Sequence, residues 1–283
     1  MPKLIIGYGY LGRRVARMWQ EAGDEVIAVT RRPERAREIQ AAGITPFVAD
    51  VTDRQGWSDL PSVETALYCV GWDRTAGPTK RFVFVDGLAS VMRQVQTQAA
   101  RWIYISSSSV YGQSEGEWVD EETECRPTTP NGEICLDAER MFRESCPQGT
   151  ILRLAGIYGP GRMLARREQL LQGVPFGGDP QAWLNLIHVI DAASAVTAIE
   201  QADCRGKLYL ACDDEPVRRG EFYNELSRLL NAPRPTFDPQ RDAGRTVGLN
   251  KRCRARKLKQ ETGWAPGYPT FRAGLLTAIE SDD

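Results

Sequence analysis

The chain begins with a short apolar run, Lys3-Leu4-Ile5-Ile6, that leads directly into Gly7-Tyr8-Gly9-Tyr10-Leu11-Gly12. A G-x-G-x-x-G in this position restricts the fold more than any other segment. It needs a strand before it and a helix after it. The first glycine permits a tight turn, the second lets the backbone approach a pyrophosphate, and the third lets the helix pack closely on the strand. Residues 13–22 supply the helix, with Val15, Ala16, Met18 and Trp19 on its apolar side and Gly23 as a stop. Free N–H groups at such a helix N-terminus face phosphate charge. The expectation is a dinucleotide held by Gly7, Tyr8, Gly9, Tyr10, Leu11 and Gly12.

Apolar and amphipathic segments then alternate. Strands are expected at 25–30, 45–49, 65–70, 102–106 and 150–154, and helices at 33–42, 82–100 and 131–145. Strands separated by helical segments imply right-handed crossovers and an α/β fold, a Rossmann-type doubly wound parallel sheet. After residue 156 Gly and Pro become frequent, as in Gly159-Pro160-Gly161 and Gly177-Gly178. The expected organisation is a dinucleotide-binding domain over 1–156 and a smaller C-terminal substrate lobe over most of 157–283. Elements around 185–212 are expected to return to the first domain.

Composition excludes several classes. The net charge is −1, which gives no electrostatic footprint for nucleic acid or an anionic membrane. No apolar run approaches the length of a membrane span, and the apolar start lacks a signal-peptide cleavage pattern. Seven cysteines without a C-x-x-C, and a single histidine, His188, announce no metal site. They fit reduced thiols in a cytoplasmic protein.

The end of the second strand bears on the choice of cofactor. An NAD site places an acid there for the ribose 2′-hydroxyl; here the segment reads Thr30-Arg31-Arg32. Two guanidinium groups suit a 2′-phosphate, so NADP(H) is favoured over NAD(H). Asp50 and Val51, after the third strand, are expected at the adenine edge.

Further along, Ile105-Ser106-Ser107-Ser108-Ser109-Val110-Tyr111-Gly112 resembles the extended short-chain dehydrogenase/reductase family, the NAD-dependent epimerase/dehydratase group. Three later segments resemble it in order: Leu152-Arg153-Leu154-Ala155-Gly156-Ile157-Tyr158-Gly159-Pro160-Gly161-Arg162, Asn185-Leu186-Ile187-His188-Val189-Ile190-Asp191, and Leu258 to Pro266, which ends Thr262-Gly263-Trp264-Ala265-Pro266. The resemblance implies that Val70, Gly71, Ser106, Leu154, Ala155 and Gly156 line the cofactor, and that Ser107 hydrogen-bonds a substrate oxygen. Trp72 and Arg162 would meet the substrate. It also implies a homodimer through helices 82–100 and 131–145.

One departure matters. The family pattern Pro-Tyr-Gly-x-Ser-Lys-Leu-x-x-Glu supplies a catalytic Tyr and Lys. This chain reads Pro130-Asn131-Gly132-Glu133-Ile134-Cys135-Leu136-Asp137-Ala138-Glu139, which puts Asn131 at the Tyr position and Cys135 at the Lys position. No tyrosine in the chain has a lysine four residues on. Asn exchanges no proton at useful pH, and a thiol does not replace an ammonium. A positioned general acid contributes about 10² to 10⁴ in rate, so ordinary carbonyl reduction by the usual route is expected to be impaired. Tyr111 is a candidate substitute phenol. Two functions stay open at this point: an NADP(H)-using, epimerase/dehydratase-like oxidoreductase of a small or sugar-derived substrate with a non-standard site, or a dinucleotide-binding sensor or partner-binding protein with little turnover.

Overall fold

Leu4-Ile5-Ile6 and Val26-Ile27-Ala28-Val29 are apolar at every position, so both faces of each strand must be covered. The computed structural model, which describes residues 1–53, 55–162, 164–238, 240–241 and 249–280, buries all of them in a parallel sheet.

The strands are β1 (Lys3–Ile6), β2 (Val26–Thr30), β3 (Thr45–Val48), β4 (Val63–Tyr68), β5 (Ala99–Ser107), β6 (Glu117–Val119), β7 (Thr150–Leu154), β8 (Gly156–Tyr158), β9 (Phe176–Gly177), β10 (Trp183–Leu184), β11 (Leu186–His188), β12 (Leu208–Ala211), β13 (Val217–Arg218), β14 (Phe237–Asp238) and β15 (Lys251–Cys253). The helices are α1 (Gly12–Glu21), α2 (Pro33–Ala41), α3 (Gly87–Val95), α4 (Pro130–Ser145), α5 (Leu164–Leu171), α6 (Val189–Gln201), α7 (Arg219–Leu229), α8 (Arg256–Thr262) and α9 (Phe271–Glu280).

The large sheet runs β12-β7-β5-β4-β1-β2-β3, the doubly wound order in which the chain reverses direction between β1 and β4. The ladders from β3 through β2, β1 and β4 to β5 are parallel. This is the α/β Rossmann-type architecture expected from the sequence. β3, Thr45-Pro46-Phe47-Val48, closes one edge.

The chain divides into two compact units. One comprises Met1–Ser107, Glu133–Arg153 and Ala193–Tyr209; the other comprises Ser108–Gly132, Leu154–Ala192 and Leu210–Asp283. The first holds a core of Leu4, Ile6, Leu88, Val91, Trp102, Phe142 and their neighbours. The second has its own core, in which Phe176 stacks on Tyr223 with ring centroids 4.0 Å apart and Phe271 packs on Phe222. Its strands form four short pairs: β8 with β11, β10 with β13, β9 with β14, and β6 with β15.

The single long helix expected over 82–100 is broken. Phe82–Asp86 is a π-helical turn, α3 ends at Val95, and a 3-10 turn follows over Gln96–Gln98. Tertiary contacts stand at both ends of α3. Gly87 lies against Val51, where an added Cβ would stand 3.2 Å from its Cγ2, so the first turn is seated by tertiary packing. At the other end the Trp102 indole donates to the Gln96 carbonyl (2.9 Å), and Ala99 already pairs with Val63 of β4. Ala99 and Ala100 favour helix locally, and sheet pairing with β4 overrides that preference.

A buried acid in the second unit makes stability depend on pH. Asp213 is 4% exposed, and burial pushes its carboxyl up to about 8 from an ordinary 3.8, helped by Asp214 and Glu215. In the unfolded chain the group ionises near pH 4, so between pH 4 and 8 the folded state holds a proton that the unfolded state has lost. Stability therefore falls as pH rises through that window. Asp213→Asn should melt with the parent near pH 4 and above it at pH 9, by on the order of a few kcal/mol. Thermal melts at the two pH values measure this, and an equal shift at both would refute it.

Candidate functional site

The loop between β1 and α1 is shaped by its glycines. Gly7 has φ +111°, and a Cβ there would stand 2.7 Å from the backbone of Cys69 and Val70. A Cβ on Gly12 would stand 2.3 Å from the Gly7 carbonyl oxygen. Both residues are therefore glycine for reasons internal to the fold. Gly9 differs: a Cβ there would meet no atom within 4 Å. Packing does not demand glycine at position 9. The first turn of α1 carries no acidic side chain, and Leu11, at its N-cap position, makes no capping bond.

This loop opens onto a cavity of about 330 Å³ in the first unit. Gly7, Tyr8 and Gly9 form one side, Thr30, Arg31 and Arg32 leave the end of β2, and Asp50 and Val51 follow β3. Val70 and Gly71 follow β4 and also line the cavity. The parallel order explains the gathering, because the C-terminal ends of neighbouring strands meet where the chain reverses. The Thr30 hydroxyl accepts from the Arg32 amide (3.2 Å). Asp50 accepts from the amide and hydroxyl of Thr52 (2.9 and 2.8 Å), which fixes its carboxylate at the strand end.

Arg35, Trp72 and Asp73 are among the lining residues that the sequence did not assign to the cofactor. Arg35 donates to the Tyr8 carbonyl (3.3 Å) and props the glycine loop from α2. Asp73 pairs with both Arg31 (2.7 Å) and Arg32 (3.1 Å). Trp72, expected at the substrate, lies in this same cavity, and its indole donates to the Pro78 carbonyl (3.0 Å). Arg31 and Asp73 are 42 residues apart, so only the strand order reveals the pairing.

The remaining expected residues lie outside this cavity lining. Tyr10, Leu11 and Gly12 turn into α1, with Leu11 and Gly12 buried. Ser106 is buried, and its hydroxyl donates to Glu139 (2.6 Å). Ser107, half-buried, ends β5. Tyr111 is fully buried, and its hydroxyl donates to the Asp120 carbonyl (2.6 Å). That engagement serves the fold of the second unit. On α4, Asn131 donates to the Ser109 hydroxyl (2.9 Å), and Cys135, one turn on, is 5% exposed. Gly132 lets the helix start against Ser109, where a Cβ would stand 2.3 Å from its carbonyl oxygen. Leu154 and Ala155 are buried at the end of β7, and the Gly156 amide donates to the Asn185 carbonyl (2.9 Å). Arg162 is exposed. His188 is packed between Tyr158 and Tyr268, with Thr277 3.2 Å from its Nε2. Among the described residues no group of His, Cys, Asp and Glu is placed to hold a metal ion, and no helix is long and apolar enough to cross a membrane.

A glycine loop at the first β-α turn, opening onto the strand ends where the sheet order reverses, is the arrangement of a Rossmann-type nucleotide-binding protein. The chain belongs to the NAD dependent epimerase/dehydratase family, whose model matches residues 4–210. It is 28% identical to protein YeeZ of Escherichia coli K12 over 280 aligned positions, covering 94% of this chain and 95% of that protein. It is 27% identical to a 3-diazoavenalumate denitrifying reductase of Streptomyces over 304 aligned positions, covering 96% of each. The UDP-glucose 4-epimerase of Thermus thermophilus, solved in complex with NAD, shares the fold with a TM-score of 0.82 at 19% identity, over 99% of this chain and 98% of that one.

Proposed function

We propose that the protein binds NADP(H) in the cavity of its first unit and transfers hydride between the nicotinamide and a small electrophilic substrate. The observation that carries this is the meeting of Gly9 with Arg31 and Arg32 around one cavity. The open space at Gly9 fits a pyrophosphate approaching the backbone, and the uncapped start of α1 favours its charge. Arg31 and Arg32 fit a 2′-phosphate, and Asp50 with Val51 would border the adenine. The cofactor, when bound, supplies the hydride. An NAD complex of an epimerase with the same fold agrees with a dinucleotide here.

The substitutions on α4 bear on the acceptor. Hydride added to a ketone leaves an alkoxide that must be protonated, and the Asn131 amide at the tyrosine position donates no proton at useful pH. An acceptor that is already cationic needs no proton. An iminium ion plus hydride gives a neutral amine and oxidised cofactor, with atoms and charge balanced. One relative is named as a reductase of a diazo compound, a substrate other than a simple ketone. We therefore favour a cationic or otherwise self-activated acceptor over a simple ketone.

Titration of NADPH and NADH against the protein, followed by nicotinamide fluorescence, tests the cofactor. Arg31→Ala should weaken NADPH about tenfold or more, the scale of one charge-assisted hydrogen bond, and leave NADH nearly unchanged. Equal loss for both would remove Arg31 from the phosphate subsite.

A further inference from the structure

Asp73 is engaged at both carboxylate oxygens. Its Oδ1 accepts from the Thr75 amide (3.0 Å) and hydroxyl (2.7 Å). Its Oδ2 accepts from Arg31 (2.7 Å) and Arg32 (3.1 Å). The first pair comes from its own loop and fixes the side chain there. That loop is also closed by the Trp72–Pro78 bond. Asp73 therefore does not need the arginines to stay where it is. The arginines meet at its second oxygen, with Arg31 and Asp73 each about one-third exposed, at 34% and 32%. One anionic oxygen drawing two guanidinium groups is how a phosphate oxygen would engage them. The Thr75 bonds and the two arginines hold the carboxyl below its ordinary range, so it is ionised at neutral pH.

We propose that Asp73 is a specificity-determining residue, an internal carboxylate that occupies Arg31 and Arg32 and competes with the 2′-phosphate of NADP(H). This rests on the NADP(H) reading of the site. To bind, a 2′-phosphate must break two existing ion pairs and settle beside a like charge. NAD(H) carries no such group and breaks neither pair. Asp73 thus selectively opposes NADP(H), and it narrows a preference that the two arginines alone would make wide.

Asp73→Asn isolates the effect. An asparagine keeps an oxygen for both Thr75 bonds, and its amide nitrogen repels the guanidinium groups, so the loop stays anchored while the arginines are released. In titrations at fixed salt, Asp73→Asn should tighten NADPH and adenosine 2′,5′-bisphosphate by roughly tenfold. NADH and ADP should stay within about twofold of the parent. Asp73→Ser, with no charge and a shorter side chain, should move the same way. Unchanged NADPH affinity in folded Asp73→Asn would overturn the proposal. So would weakened NADH, because Asp73 would then hold the ribose or the adenosine. The two readings fail differently. If Arg31→Ala leaves NADPH unaffected in the parent, the NADP(H) assignment falls. If Arg31→Ala weakens NADPH and Asp73→Asn fails to strengthen it, only the competition falls.

Discussion

Arg153→Met should lower the stability of the protein by about 3–5 kcal/mol, the largest loss expected from any single change described above. Arg153 on β7 makes a two-pronged pair with Glu139 on α4, its Nε to Oε1 at 2.9 Å and its Nη2 to Oε2 at 2.6 Å. Both side chains are at most 5% exposed. The Ser106 hydroxyl adds a third bond to Oε1. With the guanidinium removed, a carboxylate stays in the core with a single hydroxyl donor. Removing both charges should cost less than removing one, so Glu139→Leu with Arg153→Met should recover part of the loss. Urea unfolding of the parent, both single variants and the double variant measures the coupling. A double variant as unstable as the sum of the two singles would show that the pair acts only through packing.

Asn131→Tyr with Cys135→Lys should raise NADPH-dependent ketone reduction by about 10² or more, the lower range for a positioned general acid. The Tyr needs the Lys, because an unperturbed phenol titrates near ~10 and donates poorly at neutral pH without a cation nearby. The single variants should gain little. For an N-methylated cyclic iminium ion the order reverses: the parent should reduce it faster than the ketone of the same skeleton, and the double variant should gain nothing there. Steady-state rates with both acceptors decide the matter. A folded, NADPH-binding double variant that remains inert toward ketones would show that the substrate pocket differs as well as the acid. A parent that turns over neither acceptor would remove the preference for cationic substrates.

How far the chain could be read before its structure depended on the range of the forces involved. Local sterics wrote the glycine loop, so Gly7 and Gly12 were legible, and the doubly wound parallel class followed from apolar runs separated by helical ones. The end of α3 was not legible, because Ala99 and Ala100 favour helix locally and pairing with β4 overrode them. Arg31 and Arg32 were readable as cations for an anion. Their partner was not, since Asp73 lies on another strand's loop and no spacing announces a contact across 42 residues. Ser106 looked like a lining residue from its place at a strand end. The structure spends its hydroxyl on Glu139, a bond that only the packing of α4 could disclose.

The edge strand β3 has a consequence for how copies of this chain can meet. Edge strands expose unpaired backbone groups that invite a neighbour to add a strand. In β3 that invitation is blunted by Pro46, which has no N–H to donate. A continuous ladder across that edge would be missing a rung at its centre. Sheet extension from molecule to molecule is thereby discouraged at the edge of the sheet next to β2, the strand that ends in Thr30.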